Sequence, residues 1–253
     1  MINLDKKEKI GIFDSGIGGV AVLKEILKIL PNEDYIYYSD SVNNPYGDKT
    51  RKQIISFCED IVGFLIKENC KIIVIACNTA TAEAAKYLRN KYKDIIFIGI
   101  EPAYKMVYDY SYDKPTLIMA TKKTIISEKF NLLFSKYNNK KTEIFSCEGL
   151  ADIIEKNEKE KIGEYIEKNL TKYKGNIENV VLGCTHYPLI KEEIEKVIGK
   201  VNFFDGAYKL AIHLKEVLEE KDMLNNEGGK IKFIDSEKSE EKEKRFFEIL
   251  KNK

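Results

Sequence analysis

Two cysteines sit in matching surroundings, one in each half of the chain. Cys77 follows the apolar run Ile72–Ala76 and opens Cys77-Asn78-Thr79-Ala80-Thr81-Ala82; Cys184 follows Val180-Val181-Leu182-Gly183 and opens Cys184-Thr185-His186-Tyr187-Pro188. Each thiol therefore stands at the carboxyl end of an apolar strand, ahead of hydroxyl or amide residues and a helix. Open α/β sheets place their ligand-binding groups at that point. A thiol beside a helix N-terminus can serve as a base or nucleophile near neutral pH. A single buried cysteine reads most simply as a small hydrophobe. Two in matching contexts suggest one active site with a sulfur on each side of a substrate.

Other residues near the two thiols could take part. His186, one of two histidines in the chain, follows Cys184 by two positions and is placed to exchange a proton with it. His213 falls in a helical stretch and reads as a partly exposed packing residue. Asp14 ends the strand Ile10–Phe13 and enters Ser15-Gly16-Ile17-Gly18-Gly19, where it is suited to hold a proton or to cap a helix. The glycines at 16, 18 and 19 do not have the dinucleotide-binding spacing. Thr79, Thr121 and Thr185 are each able to donate a hydrogen bond to a carboxylate or to cap a helix. The turn formers of Asp40–Asp48 read by themselves as a surface loop; over a ligand they would offer the Tyr46 hydroxyl and the Gly47 backbone. A zinc site through Cys184 and His186 lacks any Cys-x-x-Cys or His-x-x-x-His pair, and the first absence also speaks against a redox disulfide.

The elements that must position these groups alternate. Apolar runs at Ile10–Phe13, Tyr35–Tyr38, Ile72–Ala76, Ile95–Ile98, Thr116–Met119, Ile144–Phe145, Ile177–Leu182, Val201–Phe204 and Ile231–Ile234 predict strands. Val20–Leu30, Thr50–Lys67, Thr79–Tyr92 and Leu189–Ile198 carry helical spacing. The alternation implies an α/β fold with mostly parallel strands. A weak repeat relates Ile10–Ser15 to Thr116–Thr121, each followed after another strand or two by a cysteine strand. Two similar α/β halves facing each other are expected, 1–98 with 207–253 and 99–206. The charged stretch Ser236–Arg245 reads as a solvated helix face.

Bulk composition narrows the class of function. The 253 residues carry 42 Lys and Arg against 41 Asp and Glu, so nothing favours nucleic acid or an anionic membrane as partner. No apolar run approaches the length of a membrane span. The charged start Met1–Lys9 lacks a signal-peptide core, and five cysteines without close pairs fit a reducing compartment, so a cytoplasmic location is expected.

Phe13-Asp14-Ser15-Gly16-Ile17-Gly18-Gly19, Pro45-Tyr46-Gly47, Ala76–Ala82, Glu101-Pro102 and Gly183–Leu189 together resemble the glutamate racemase family, in its order and spacing, from Ile10 to about Ala211. Thr81 and His186 stand where the related aspartate racemases have other residues, which favours glutamate. The resemblance implies a cofactor-independent enzyme that interconverts L- and D-glutamate and supplies the D-isomer for peptidoglycan, built as two α/β domains with the active site in the cleft between them. By the family pattern Cys77 and Cys184 are the two bases, Asp14 assists Cys77, and His186 assists Cys184 with Glu155 behind it. Ser15, Tyr46, Gly47, Asn78, Thr79, Thr121, Thr185 and His186, with Asp14, would bind the substrate; Asp40 matches a further family acid. The resemblance implies a small-molecule substrate and no metal, and it admits a homodimer. Ala120 and Phe130 depart from the usual glycine and tyrosine. Alternatives are a racemase of aspartate or of broad specificity, a non-catalytic amino-acid-binding protein, and a thiol hydrolase or transferase, which would leave the second cysteine unexplained.

Overall fold

Runs such as Ile72-Ile73-Val74-Ile75 pack well on a pleated surface, and a parallel strand covered by helices on both faces is apolar throughout rather than alternating. The computed structural model, which describes residues 8–251, forms its strands at these runs. Most of the charged start therefore lies outside the described residues. In chain order the elements are β1 (Lys9–Asp14), α1 (Val20–Ile29), β2 (Tyr35–Ser39), α2 (Arg51–Lys67), β3 (Cys70–Ile75), α3 (Asn78–Lys91) and β4 (Ile96–Gly99). There follow α4 (Tyr104–Ser111), β5 (Thr116–Ala120), α5 (Lys122–Ile125), α6 (Glu128–Tyr137), β6 (Thr142–Ser146), α7 (Leu150–Glu155), α8 (Lys159–Leu170), β7 (Asn179–Gly183), α9 (Lys191–Ile198) and β8 (Asn202–Phe204). The last elements are α10 (Ala207–Glu220), β9 (Ile231–Asp235) and α11 (Glu240–Lys251).

Two compact units result, one from residues 1–100 with 207–253 and the other from residues 101–206. The first holds a parallel sheet ordered β4-β3-β1-β2-β9, the second a parallel sheet ordered β6-β5-β7-β8. Read from the opposite edge, the second order repeats the first four strands of the first, with β5 in the place of β1 and β7 in the place of β3. In both sheets the chain leaves a central strand to one side and returns on the other. This reversal opens a crevice at the carboxyl ends of the two strands concerned. In the first unit those strands are β1 and β3, which lead to Asp14 and Cys77. In the second they are β5 and β7, which lead to Thr121 and Cys184.

The cores lie between sheets and helices. In the first unit Ile54, Cys58, Val62 and Leu65 of α2 and Ala80, Ala84 and Leu88 of α3 bury against Ile73 and Ile75 of β3. In the second, Ile162, Ile166 and Leu170 of α8 and Ile194 and Ile198 of α9 bury against Leu117, Val180 and Leu182. A capping box fixes the start of α2: Thr50 accepts from the Gln53 backbone, and the Gln53 side chain accepts from the Thr50 N–H at 3.0 Å.

Three local expectations need correction. The helical spacing of Leu189–Ile198 begins in a 3-10 turn, Tyr187–Ile190, which tolerates Pro188 in its first turn, and α9 starts only at Lys191 because Ile190, at φ −126° and ψ 26°, leaves the helical path. Ser236–Arg245 is not one solvated helix face. Ser236–Ser239 forms a turn anchored by Asp235, which accepts the Ser239 N–H at 3.1 Å, and Phe246 of the following α11 is fully buried. The Asp40–Asp48 segment is not a bare surface loop, since Asp40, Ser41 and Tyr46 are all buried.

Among the described residues no helix is long and apolar enough to cross a membrane. Among them also, no group of three or more His, Cys, Asp or Glu is placed to hold a metal ion.

Candidate active site

In the first unit β3 ends at Ile75, and Cys77 closes the turn into α3 as its N-cap residue. Its sulfur accepts the Ala80 N–H at 3.4 Å and its thiol donates to the Ser15 hydroxyl at 3.7 Å. Sulfur thus takes the place of the usual capping oxygen and receives one of the otherwise unpaired N–H groups of the helix start. A negatively charged acceptor is favoured at such a terminus. Asn78 and Thr79, the first two residues of α3, are buried beside it, and the Asn78 side-chain oxygen has no hydrogen-bond partner among the described residues.

Asp14, fully buried at the end of β1, accepts the Gly19 N–H at 2.8 Å. It therefore ties the glycine turn shut rather than standing as the formal cap of α1, a position held by Gly19. No larger residue fits at 19, because a Cβ there would come within 2.6 Å of the Tyr37 hydroxyl and 2.8 Å of the Asp14 Cβ. Ser15 is held from the other side, its carbonyl accepting the Asn44 side-chain amide at 3.0 Å.

Tyr46 does not present its hydroxyl to a ligand. The ring is buried and the hydroxyl donates to Asp40 at 2.5 Å, so the side chain anchors the loop from beneath and leaves the Tyr46–Gly47 backbone at its start. Burial pushes the Tyr46 hydroxyl well above its ordinary value, with Cys58, Asp40 and Cys77 adding to the rise, so it remains a donor. Asp40 is also pushed up by burial, against hydrogen bonds from Tyr46, Asn43 and Ser236 that lower it, while neighbouring Asp235 raises it.

In the second unit Cys184 follows directly on β7 and Glu155 is the last residue of α7. The Cys184 sulfur lies 3.7 Å from His186 Nδ1, and His186 Nε2 lies 2.8 Å from Glu155 Oε2. All three side chains are buried, with His186 only 1% exposed. Burial alone would lower the imidazole pKa. Hydrogen bonds and charge from Cys184 and Glu155 outweigh it and hold His186 well above its ordinary value. Thr185 is buried between Cys184 and His186 in sequence. Thr121 caps α5, its oxygen accepting the Thr124 N–H at 3.2 Å. Gly183 faces Ala120 across the β5–β7 ladder, and a Cβ on it would lie 2.9 Å from the Ala120 Cβ and 2.9 Å from the Met119 carbonyl.

The other three thiols are free and buried but sit in different chemistry. Burial pushes Cys58 and Cys147 far up and Cys70 up to about 12, so each stays a neutral thiol. His213 is exposed on α10, 3.7 Å from Glu216.

The structure thus groups Asp14, Ser15, Asp40, Tyr46, Cys77, Asn78 and Thr79 at one end of the first sheet, and Thr121, Glu155, Cys184, Thr185 and His186 at the matching end of the second. Sequence reasoning passed over Asp235 and Ser236, which meet the Asp40–Tyr46 loop from 194 residues away. Only the turn composition at 235–239 hinted that anything other than helix was there.

The model of the Asp/Glu/Hydantoin racemase family matches residues 10–213. A glutamate racemase from Clostridium novyi is 44% identical over 237 residues, 91% of this chain and 92% of the relative. Among solved structures, glutamate racemase from Francisella tularensis in complex with D-glutamate superposes with a TM-score of 0.82 at 30% identity, covering 98% of this chain and 95% of that one. Glutamate racemase from Thermus thermophilus in complex with β-chloro-D-alanine gives 0.80 at 29%, covering 98% and 94%.

Proposed function

From a chain that belongs to the Asp/Glu/Hydantoin racemase family, we propose a glutamate racemase that moves the α-proton between two thiols. One observation carries the mechanism. Two sheets that share a four-strand order each lead from their cysteine strand to a buried thiol held by its own partners, Ser15 and the α3 terminus for Cys77, His186 and Glu155 for Cys184. Glutamate as substrate is supported by the names of the relatives, by the D-glutamate held in the Francisella protein, and by Thr81 and His186.

The α-proton of an amino acid is weakly acidic, and a single base returns it to the face it left. Two bases on opposite faces remove that restriction. One thiolate takes the proton, the electron pair passes into the α-carboxylate, and the opposite thiol delivers its proton to the other face. The sulfurs exchange protonation states and reverse roles for the other enantiomer. The His186 charge, backed by Glu155, stabilises the negative sulfur of Cys184. The helix start and Ser15 do so for Cys77, with Asp14 fixing the turn that carries Ser15. The buried Asn78 oxygen is suited to the substrate ammonium. The Tyr46–Gly47 backbone, Thr79, Thr121 and Thr185 are suited to its carboxylates. No step calls for a group beyond these side chains. We further assign the enzyme to the cytoplasm as a supplier of D-glutamate for peptidoglycan, and propose a homodimer.

The test follows L-glutamate in deuterated water by circular dichroism and α-deuterium incorporation, beside Cys77→Ser and Cys184→Ser. Rotation should decay with α-exchange in the unaltered protein, and either substitution should abolish racemisation. Exchange of L-aspartate but not L-glutamate would overturn the substrate. Exchange of neither would overturn catalysis and leave an amino-acid-binding protein.

A further inference from the structure

The segment between β2 and α2 carries Tyr46 and Gly47 on two 3-10 turns, Ser41–Asn43 and Tyr46–Asp48, with no strand or α-helix of its own to hold it. Short turns supply few backbone hydrogen bonds, so side chains must fix it. They arrive from the carboxyl end of β9, the strand that pairs with β2 through Tyr38–Ile234 and Ser39–Asp235.

The contacts form a connected series. The Ser41 hydroxyl donates to Asp235 Oδ1 and lies 3.0 Å from the Ser39 hydroxyl. Ser236 accepts the Val42 N–H at 2.9 Å through its hydroxyl oxygen. The Ser236 N–H in turn donates to the Ser39 carbonyl at 2.9 Å. Asp40 then receives the Tyr46 hydroxyl at 2.5 Å and the Asn43 amide at 3.0 and 3.1 Å. Beyond it, Asn44 holds the Ser15 carbonyl, and Ser15 holds Cys77. Asp40 and Asp235 are both buried, and burial of a carboxylate is costly unless hydrogen bonds satisfy it; here the bonds that do so are the ones that hold the loop.

We propose that Asp235 and Ser236 are positioning residues for the reaction: from the end of β9 they clasp the Asp40–Gly47 loop and so set the place of the backbone that receives the substrate. The inference rests on the reading of Tyr46–Gly47 as a substrate-binding segment. It gives the carboxyl-terminal strand a role in substrate affinity although that strand contributes no atom to the chemistry.

The experiment compares Asp235→Ala, Asp235→Asn and Ser236→Ala by steady-state kinetics on both glutamate enantiomers and by amide hydrogen exchange of the segment 40–48 followed by mass spectrometry. Lost positioning of a binding element should raise KM by ~10-fold or more while kcat stays within ~3-fold. Exchange across 40–48 should accelerate by a similar factor, and Asp235→Asn, which keeps an oxygen for Ser41, should recover part of the loss. Glu33→Gln serves as the control for general weakening. Glu33 braces the opposite end of the same region, accepting the Asn225 N–H at 2.7 Å and pairing with Lys71 at 2.8 Å. It should lower the melting temperature and leave KM and loop exchange as they are.

Unchanged KM with unchanged loop exchange in folded variants overturns the clasp. So does a rise in KM that Glu33→Gln reproduces. If the unaltered protein racemises no glutamate, the functional reading falls, and loop exchange alone then decides the clasp.

Discussion

Replacing Glu155 by Gln tests the Cys184 half of the site with the least disturbance of shape. The carboxylate meets His186 Nε2 at 2.8 Å with both groups buried. Glutamine keeps the size and one acceptor oxygen for His186 while it removes the charge and turns the other oxygen into an amide donor. At an effective dielectric of about 20, two unit charges that close attract by about 6 kcal/mol. Most of this is offset by the desolvation of both groups, and hydrogen bonds to charged partners retain about 1.5–3 kcal/mol net. If His186 must stay charged beside the Cys184 sulfur, this loss appears as a ~10- to 150-fold fall in kcat/KM. Enantiomers have equal free energies in water, so the equilibrium constant is unity and the fall must be the same for L- and D-glutamate. The pH dependence provides the sharper assay. Glu155 is one of the partners holding the imidazole above its ordinary value, so without it His186 gives up its proton at lower pH. The alkaline limb of the kcat/KM profile, followed by circular dichroism, should move toward neutrality. Stability should shift with the opposite weighting. A histidine whose folded pKa is raised stabilises the fold fully below its unfolded value of about 6.5, and that contribution disappears as pH rises through the folded value. The melting temperature of Glu155→Gln should therefore fall most at acid pH. A fall in kcat/KM below ~3-fold with an unmoved alkaline limb would refute the argument that Glu155 maintains a charged His186.

Three further outcomes follow from the packing and the buried groups. Gly183→Ala, whose new Cβ would lie 2.9 Å from both the Ala120 Cβ and the Met119 carbonyl, should cost about 1–3 kcal/mol of stability and lower kcat by displacing the strand end that carries Cys184, as read by urea unfolding and steady-state rates. Lys71→Ala should leave Glu33 buried without its 2.8 Å partner and cost about 3–5 kcal/mol in the same unfolding assay, while KM for glutamate holds. Cys58, Cys70 and Cys147 are all raised by burial, so the stability they contribute is full below the unfolded thiol value and is lost as pH climbs toward the folded ones. Above pH ~8.5 each should weaken the fold by about 1.4 kcal/mol per pH unit, and substituting all three by Ala should flatten the decline between pH ~8 and ~9.5.

The parts of this site that could be read in sequence are those fixed by local pattern. Strand cores such as Ile72–Ile75 are unbroken apolar runs with few alternatives, and the two cysteines lie just beyond such runs, where the end of the run gives away their place in the fold. The same pattern explains the small boundary errors. Ala76 continues the apolar run and its N–H still bonds the Phe13 carbonyl at 2.8 Å, yet the strand ends at Ile75, one residue short of the Cys77 cap of α3. Asp14 and Tyr46 are of a different kind. Propensity offers Asp14 as a helix cap and the tyrosine hydroxyl as a ligand donor, whereas the folded chain spends the carboxylate on the Gly19 N–H and the hydroxyl on Asp40. Both partners lie within six residues in sequence, yet local pattern alone does not choose them; what closes the Asp14 turn is the packing of Gly19 against Tyr37 and Ala76, which no short window contains together. The limit is clearest at Asp235 and Ser236. In sequence they introduce a charged stretch with the look of solvent-facing helix, and their partners Ser41 and Val42 lie 194 residues away. What joins them is the parallel pairing of β9 with β2, which brings Asp235 opposite Ser39. A polar residue at a strand end takes its meaning from the neighbouring strand, so the order of strands in the sheet must be known before its role can be argued. The thiols announce the chemistry from local context, and the groups that steady the substrate loop become visible only once the sheet is assembled.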